Sequence, residues 1–182
     1  DQRAQASSSC DQWLLHDPLS SSKSTLTFIQ LSDYCRRGAS WFANYLCNTP
    51  QEIIPIFVDN SARSVVAIVS ALRYGLPVLP LNPNTSKNFY ANVLSKFFAG
   101  MIFNASNDND VLDQYDCIEF PDLSQLPNYY YQLPSLPINF NCFIFLTSGS
   151  TAVSKIAPQT YLNLISNAES IVQHLQLSAD NL

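Results

Sequence analysis

Apolar residues along this chain fall alternately into short unbroken runs and into stretches with a three-to-four-residue period, the pattern of strands interleaved with helices. Thr27-x-x-Gln30 has the form of a capping box, a hydroxyl followed three positions on by an amide. Behind it Leu31, Tyr34, Cys35, Gly38, Phe42, Tyr45 and Leu46 share one helical face, and Asn48-Thr49-Pro50 ends the helix. Ile53 to Val58 is continuously apolar and reads as a buried strand despite Pro55. Asn60 or Ser61 is placed to cap a second helix, with Val65, Val66, Val69 and Leu72 facing inward and Gly75 closing it.

Pro77 to Leu81 predicts a second strand, followed by the turn Asn82-Pro83-Asn84. Tyr90, Val93, Leu94, Phe97 and Phe98 mark a third helix that stops near Gly100. Met101 to Phe103 is a third strand, Asn104 to Asp110 a polar loop, and Cys117 to Phe120 a fourth strand. Pro121 to Asn141 carries four prolines and the run Tyr129 to Tyr131, and reads as an irregular surface connector. Cys142 to Leu146 is a fifth, fully apolar strand, and a polar loop follows from Thr147 to about Pro158. The last helix is the clearest: Tyr161, Leu164, Ile165, Ala168, Ile171, Val172 and Leu175 keep helical spacing throughout. This rhythm predicts an α/β fold, layered, with a largely parallel sheet flanked by helices and right-handed crossovers.

Composition narrows the function classes. Of 182 residues 47% are apolar, enough for a real core, and the net charge is −5. The nine Lys and Arg residues are scattered, so a nucleic-acid partner is not expected, because phosphate neutralisation needs clustered cations. No apolar run is long enough to span a bilayer as a helix. The start of the chain is polar and serine-rich, and residues 1–23 are expected to be a flexible polar extension. Five cysteines (Cys10, Cys35, Cys47, Cys117 and Cys142) show no metal-knuckle spacing. Reduced, buried thiols in a cytoplasmic protein are the expectation, with a disulfide or a reactive thiol as the alternative. His16 and His174 share no ligand spacing, and no metal site is predicted.

The stretch with chemical promise is Thr147-Ser148-Gly149-Ser150-Thr151-Ala152-Val153-Ser154-Lys155. Hydroxyls and backbone N–H groups donate to phosphate oxygens, glycine permits close backbone approach, and lysine adds a mobile positive charge. It is not a Walker loop, since the Gly-Lys-Ser/Thr ending is missing. Hydroxyl-rich turns between elements also serve simply as caps, and local chemistry leaves both readings open.

With its preceding strand, this loop (Phe143 to Thr151) resembles the signature of the adenylate-forming, or AMP-binding, superfamily: acyl-CoA synthetases, peptide-synthetase adenylation domains and luciferases. Leu26 to Leu31 is similar to the entry to that family's first helix. Asp59-Asn60-Ser61 with Ala71 to Pro83 resembles a second block, and Leu175 to Asp180 a lead-in to a further motif. The resemblance spans about residues 24 to 182 and implies the N-terminal α/β portion of an AMP-binding domain, incomplete at its C-terminal end. It implies ATP-dependent activation of a carboxylic acid as an acyl-adenylate, with Mg2+, and transfer to a thiol (CoA or an acyl or peptidyl carrier protein) or an amine. Thr147, Ser148, Gly149, Ser150, Thr151 and Lys155 would hold the nucleotide phosphates. The family's adenine-binding, magnesium-binding and catalytic residues would follow residue 182, so no catalytic residue is assigned here and the 182 residues alone are expected to be inactive. Ala152 and Ile156 stand where the family has glycine, and Ser154 where it has proline, which implies a less mobile loop. Those departures keep open an alternative, a non-catalytic, degenerate adenylation-like domain with a structural or protein-binding role. The acid, the acceptor and the oligomeric state are not legible in these residues.

Overall fold

The strands expected between residues 53 and 120 all form, and they pair side by side. In the computed structural model, residues 13–16, 25–49, 51–97, 101–107, 117–130, 132, 134–147 and 155–176 are described, and the chain divides into two units, Asp1–Pro134 and Ser135–Leu182.

In the first unit β1 (Trp13–His16) pairs antiparallel with β2 (Thr25–Thr27), so a strand lies inside the 1–23 stretch. Thr27 then caps α1 (Phe28–Leu46) with the expected reciprocal box: its Oγ1 accepts from the Gln30 N–H at 3.3 Å, and Gln30 Oε1 accepts from the Thr27 N–H at 2.9 Å. Two orphan donors at the helix start are thereby satisfied. Four parallel strands follow: β3 (Ile54–Phe57), β4 (Val78–Leu81), β5 (Phe103–Asn104) and β6 (Ile118–Glu119). Their order is β6-β5-β3-β4, with Ile54 opposite Val78, Ile56 opposite Phe103, and Phe103 opposite Ile118. Every residue of β3 is buried, as a strand covered on both faces requires.

Helices α2 (Ala62–Tyr74) and α3 (Lys87–Leu94) make the crossovers β3–α2–β4 and β4–α3–β5. Ser61 caps α2 by accepting from the Ser64 N–H, and Gly75 ends it at φ 107°, a left-handed conformation that glycine takes without strain. The core joins α1 to β5 and β6 through Trp41, Phe42, Phe103 and Phe120, whose ring centroids lie 5.0–5.7 Å apart. The inward face of α1 thus includes Trp41, while Tyr45, expected to face inward, is 42% exposed and lies against Trp41 at 4.5 Å.

The connector is irregular as expected, apart from one 3-10 turn at Leu123–Gln125, and it is fastened along α1. Arg37 donates to the carbonyls of Leu126 and Pro127, Tyr129 bonds to Asn44, and the Tyr130 hydroxyl donates to Asp33 at 2.6 Å. The Arg36 guanidinium covers the Tyr130 ring at 4.1 Å.

In the second unit β7 (Asn141–Thr147) pairs antiparallel with β8 (Lys155–Thr160), which runs directly into α4 (Tyr161–His174). This corrects the loop expected from Thr147 to Pro158. Pro158 has no N–H to donate, but among the described residues of this unit β8 is paired on one side, to β7, and a strand bonded on one side tolerates such a residue. Thr160 caps α4 by a second reciprocal box with Asn163. The β-structure of the chain is therefore mixed and mostly parallel, with helices against it, the α/β class expected.

Candidate functional site

Of the residues assigned to phosphate binding, two lie within the described residues. Thr147 is the last residue of β7 and Lys155 the first of β8, and the two are Cα partners across the ladder. Ser148, Gly149, Ser150 and Thr151 lie outside the described residues, as does Ala152. The ladder thus holds Thr147 beside Lys155, where a polar loop was expected to run on to about Pro158. Lys155 is exposed. Ile156 pairs with Leu146 inside the ladder, where a β-branched side chain suits the extended backbone. The Cys142 thiol donates to the Gln159 carbonyl at 3.1 Å across the same hairpin, and burial pushes its pKa up.

Sequence reasoning missed a second feature, in the first unit. A cleft of about 510 Å³ opens at the carboxyl ends of β3, β4 and β5. Its lining comes from three strand exits: Val58, Asp59 and Asn60 after β3, Pro80 to Asn84 at the end of β4 and beyond, and Ser106 after β5. From β3 the chain moves to β4 on one side and then returns to β5 on the other, so the strand order reverses between β3 and β5. A crevice outside the carboxyl ends at such a reversal is where open α/β sheets take ligands.

Both walls are fixed by hydrogen bonds. On the β4 side the Tyr90 hydroxyl accepts from the Asn82 N–H at 2.6 Å and donates to the Asn82 carbonyl at 3.1 Å. Asn82 Oδ1 accepts from the Asn84 N–H at 2.9 Å, shaping the turn. On the other side the Asp59 carboxylate collects donors from two loops. Oδ1 accepts from the Ser61 N–H at 2.9 Å and the Ser64 hydroxyl at 2.8 Å; Oδ2 accepts from the Asn107 N–H at 2.8 Å and its Nδ2 at 3.0 Å. Burial works against the charge, but the hydrogen bonds from Ser61, Asn107 and Ser64 outweigh it and hold Asp59 below the ordinary carboxylate value. Beneath it the buried Asn104 accepts from the Ser106 N–H and hydroxyl at 3.0 and 2.7 Å. The usable signal was the Asp-x-Ser-x-x-Ser spacing from Asp59 to Ser64, a side-chain turn at a helix start, though nothing local points to Asn107.

A family model described as "AMP-binding enzyme" matches residues 2–181. The chain belongs to the AMP-binding enzyme family. Among curated relatives it is 27% identical over 143 residues to the NRPS-like oxidoreductase fscA of Fusarium equiseti, covering 75% of this chain and 14% of that protein. It is 24% identical over 137 residues to 2-succinylbenzoate–CoA ligase of Staphylococcus epidermidis, covering 75% of this chain and 28% of that protein. The chain thus spans less than a third of the length of these relatives. Among solved structures, that of VinN superposes with a TM-score of 0.76 at 19% identity, over 93% of this chain and 46% of VinN. The o-succinylbenzoate CoA synthetase of Bacillus subtilis, in complex with the acyl-adenylate intermediate OSB-AMP, superposes with a TM-score of 0.71 at 20% identity, over 87% of this chain and 42% of that one. At these identities the superpositions establish the shared fold.

Among the described residues no helix is long and apolar enough to cross a membrane, and no group of three His, Cys, Asp or Glu side chains comes together.

Proposed function

We propose that the intact protein activates a carboxylic acid with ATP as an acyl-adenylate and passes the acyl group to a thiol or an amine. Residues 24–182 form the N-terminal α/β portion of its AMP-binding domain. The observation that carries the reading is the family match along nearly the whole chain, supported by the pairing of Thr147 with Lys155. Thr147, Ser148, Gly149, Ser150, Thr151 and Lys155 hold the β- and γ-phosphates through hydroxyl and backbone donors and one ammonium. Pairing Thr147 with Lys155 holds the two ends of the segment together, which lowers the entropy lost when it wraps a polyphosphate.

An anion must attack the α-phosphate, so the barrier is largely electrostatic, and donors fixed in advance lower it without reorganising. Mg2+ fits these residues only as a companion of the nucleotide, because the side-chain oxygens between 147 and 155 are neutral hydroxyls. When bound it would neutralise phosphate charge. A thiol acceptor would be CoA, which the name of the 2-succinylbenzoate–CoA ligase relative carries, or a carrier protein. A cytoplasmic setting agrees with the buried thiols of Cys35 and Cys142.

The test is acid-dependent ATP–pyrophosphate exchange by the intact protein across a panel of acids. Lys155→Ala is expected to lower the exchange rate by about tenfold or more. Ile156, fixed in a ladder where the family has glycine, favours the second reading, a non-catalytic relative. Absence of both exchange and calorimetric ATP binding in the intact protein would establish that reading instead.

A further inference from the structure

The phosphate loop leaves the crevice of the first unit without a role. Among the described residues none of the side chains lining it is cationic, and the one charged side chain among them, Asp59, is committed to four donors at 2.8–3.0 Å. Against these described residues a polyphosphate would meet one fixed negative charge and no counter-charge. The remaining lining alternates neutral hydrogen-bonding side chains (Asn60, Asn82, Asn84 and Ser106) with the apolar Val58, Leu81 and prolines. Such walls suit a ligand segment that is uncharged and polar, presenting amides or hydroxyls on an aliphatic frame.

Asp59 stands at the exit of β3, and Asn107 lies 48 positions away beyond the exit of β5. Their hydrogen bonds join the two loops on either side of the strand-order reversal. The opposite wall is held independently by Tyr90 on Asn82. We propose that Asp59 is a positioning residue, clipping the β3 and β5 exit loops together as one wall of a crevice that takes the uncharged, polar part of a reactant, either the acid or the acyl acceptor. The assignment rests on the adenylating reading above. Asp59 acts through the wall it holds, and its oxygens, already occupied, do not themselves bind the reactant.

The experiment is initial-rate kinetics on the intact protein, comparing wild type with Asp59→Asn and Asn107→Ala, with ATP, acid and acceptor varied in turn. In Asp59→Asn an amide N–H faces donors that previously met a carboxylate oxygen, so the clip opens. The KM for the acid or the acceptor is expected to rise about tenfold while the KM for ATP stays within about twofold. A shift already present in pyrophosphate exchange assigns the crevice to the acid, and one confined to the transfer step assigns it to the acceptor. Asn107→Ala keeps its backbone donor and loses only Nδ2, so it should fold normally and show a smaller shift of the same kind; it carries the test if Asp59→Asn does not fold. Unchanged KM values for acid and acceptor in both variants would overturn the proposal and leave Asp59 a stabilising residue only, and a rise in the ATP KM alone would overturn the neutral-ligand assignment. A wild-type protein with no exchange for any acid would instead overturn the adenylating reading.

Discussion

Gly38 lies on the buried face of α1 where the helix meets α2. A Cβ built there would sit 2.1 Å from Ser70 Oγ, 2.8 Å from Ser70 Cβ and 3.3 Å from the Phe120 ring, so two helices and a core aromatic leave no room for a methyl group. Gly38→Ala is therefore expected to destabilise the protein by about 2 kcal/mol despite alanine's better helix propensity, read as a lower urea midpoint at unchanged slope. Ser70 Oγ is buried without a hydrogen-bond partner among the described residues. Ser70→Ala removes that cost and should leave the midpoint unchanged or higher. Combined with Gly38→Ala it should recover part of the loss, because the closest clashing atom is gone; strict additivity of the two changes would count against this packing account. Cys35, 1% exposed, makes a chemical prediction at the same scale. Burial pushes its thiol up to about 12, with the Arg73 charge only partly opposing, so the folded protein holds almost no Cys35 thiolate at mildly alkaline pH. Iodoacetamide at pH 8 should label the exposed Cys47 within minutes and Cys35 only after denaturation. Peptide mapping that found Cys35 labelled in the native protein would contradict its burial.

Among the elements, those legible in the sequence were the ones whose cause is local. The Thr27 and Gln30 pair marks the start of α1 because both partners lie within one turn, and Thr27→Ala should cost about 1 kcal/mol, measured as a lower thermal midpoint. The apolar runs that became β3 and β4 were legible because a strand covered on both faces has no polar side to show. Besides β1 and β2, three features were not legible, each for a physical reason. Lys155 to Thr160 has neither an apolar run nor a clean alternation, and it becomes a strand through the partner that β7 supplies. Asn104, read as loop, is strand, with its side chain buried and turned to accept from Ser106, a satisfaction that sequence spacing does not announce. Trp41 joins the core because Phe103 and Phe120 arrive from β5 and beyond β6 to cover it, 62 and 79 positions away. The amphipathic stripe of α4 was read correctly as a pattern, yet Ile165, Ile171, Val172 and Leu175 are 44–59% exposed, so pattern alone did not tell what covers it.

For the molecule as a whole, the proposed phosphate loop was visible as a motif while its setting was not, and the setting changes what its departures from the family mean. Two positions where the family has glycine are Ala152 and Ile156. Read along the sequence they look like one loss of loop freedom. In the structure Ile156 pairs with Leu146 in the β7–β8 ladder, so it stiffens the base of the segment, whereas Ala152 belongs to the stretch between the strands. The two substitutions to glycine should then act in opposite directions. Ala152→Gly restores access to positive φ without removing any N–H donor, so it should raise the single-turnover rate of adenylation by about threefold or more while ATP affinity changes little. Ile156→Gly should weaken the ladder by about 1 kcal/mol, lowering the thermal midpoint and leaving the adenylation rate unchanged or reduced. Rapid-quench kinetics with calorimetric ATP titration of the two single variants and the double variant separates these effects. Equal acceleration by both glycines would mean that the hairpin base must open during the reaction, and no acceleration by either would mean that closure of the loop does not limit the chemical step.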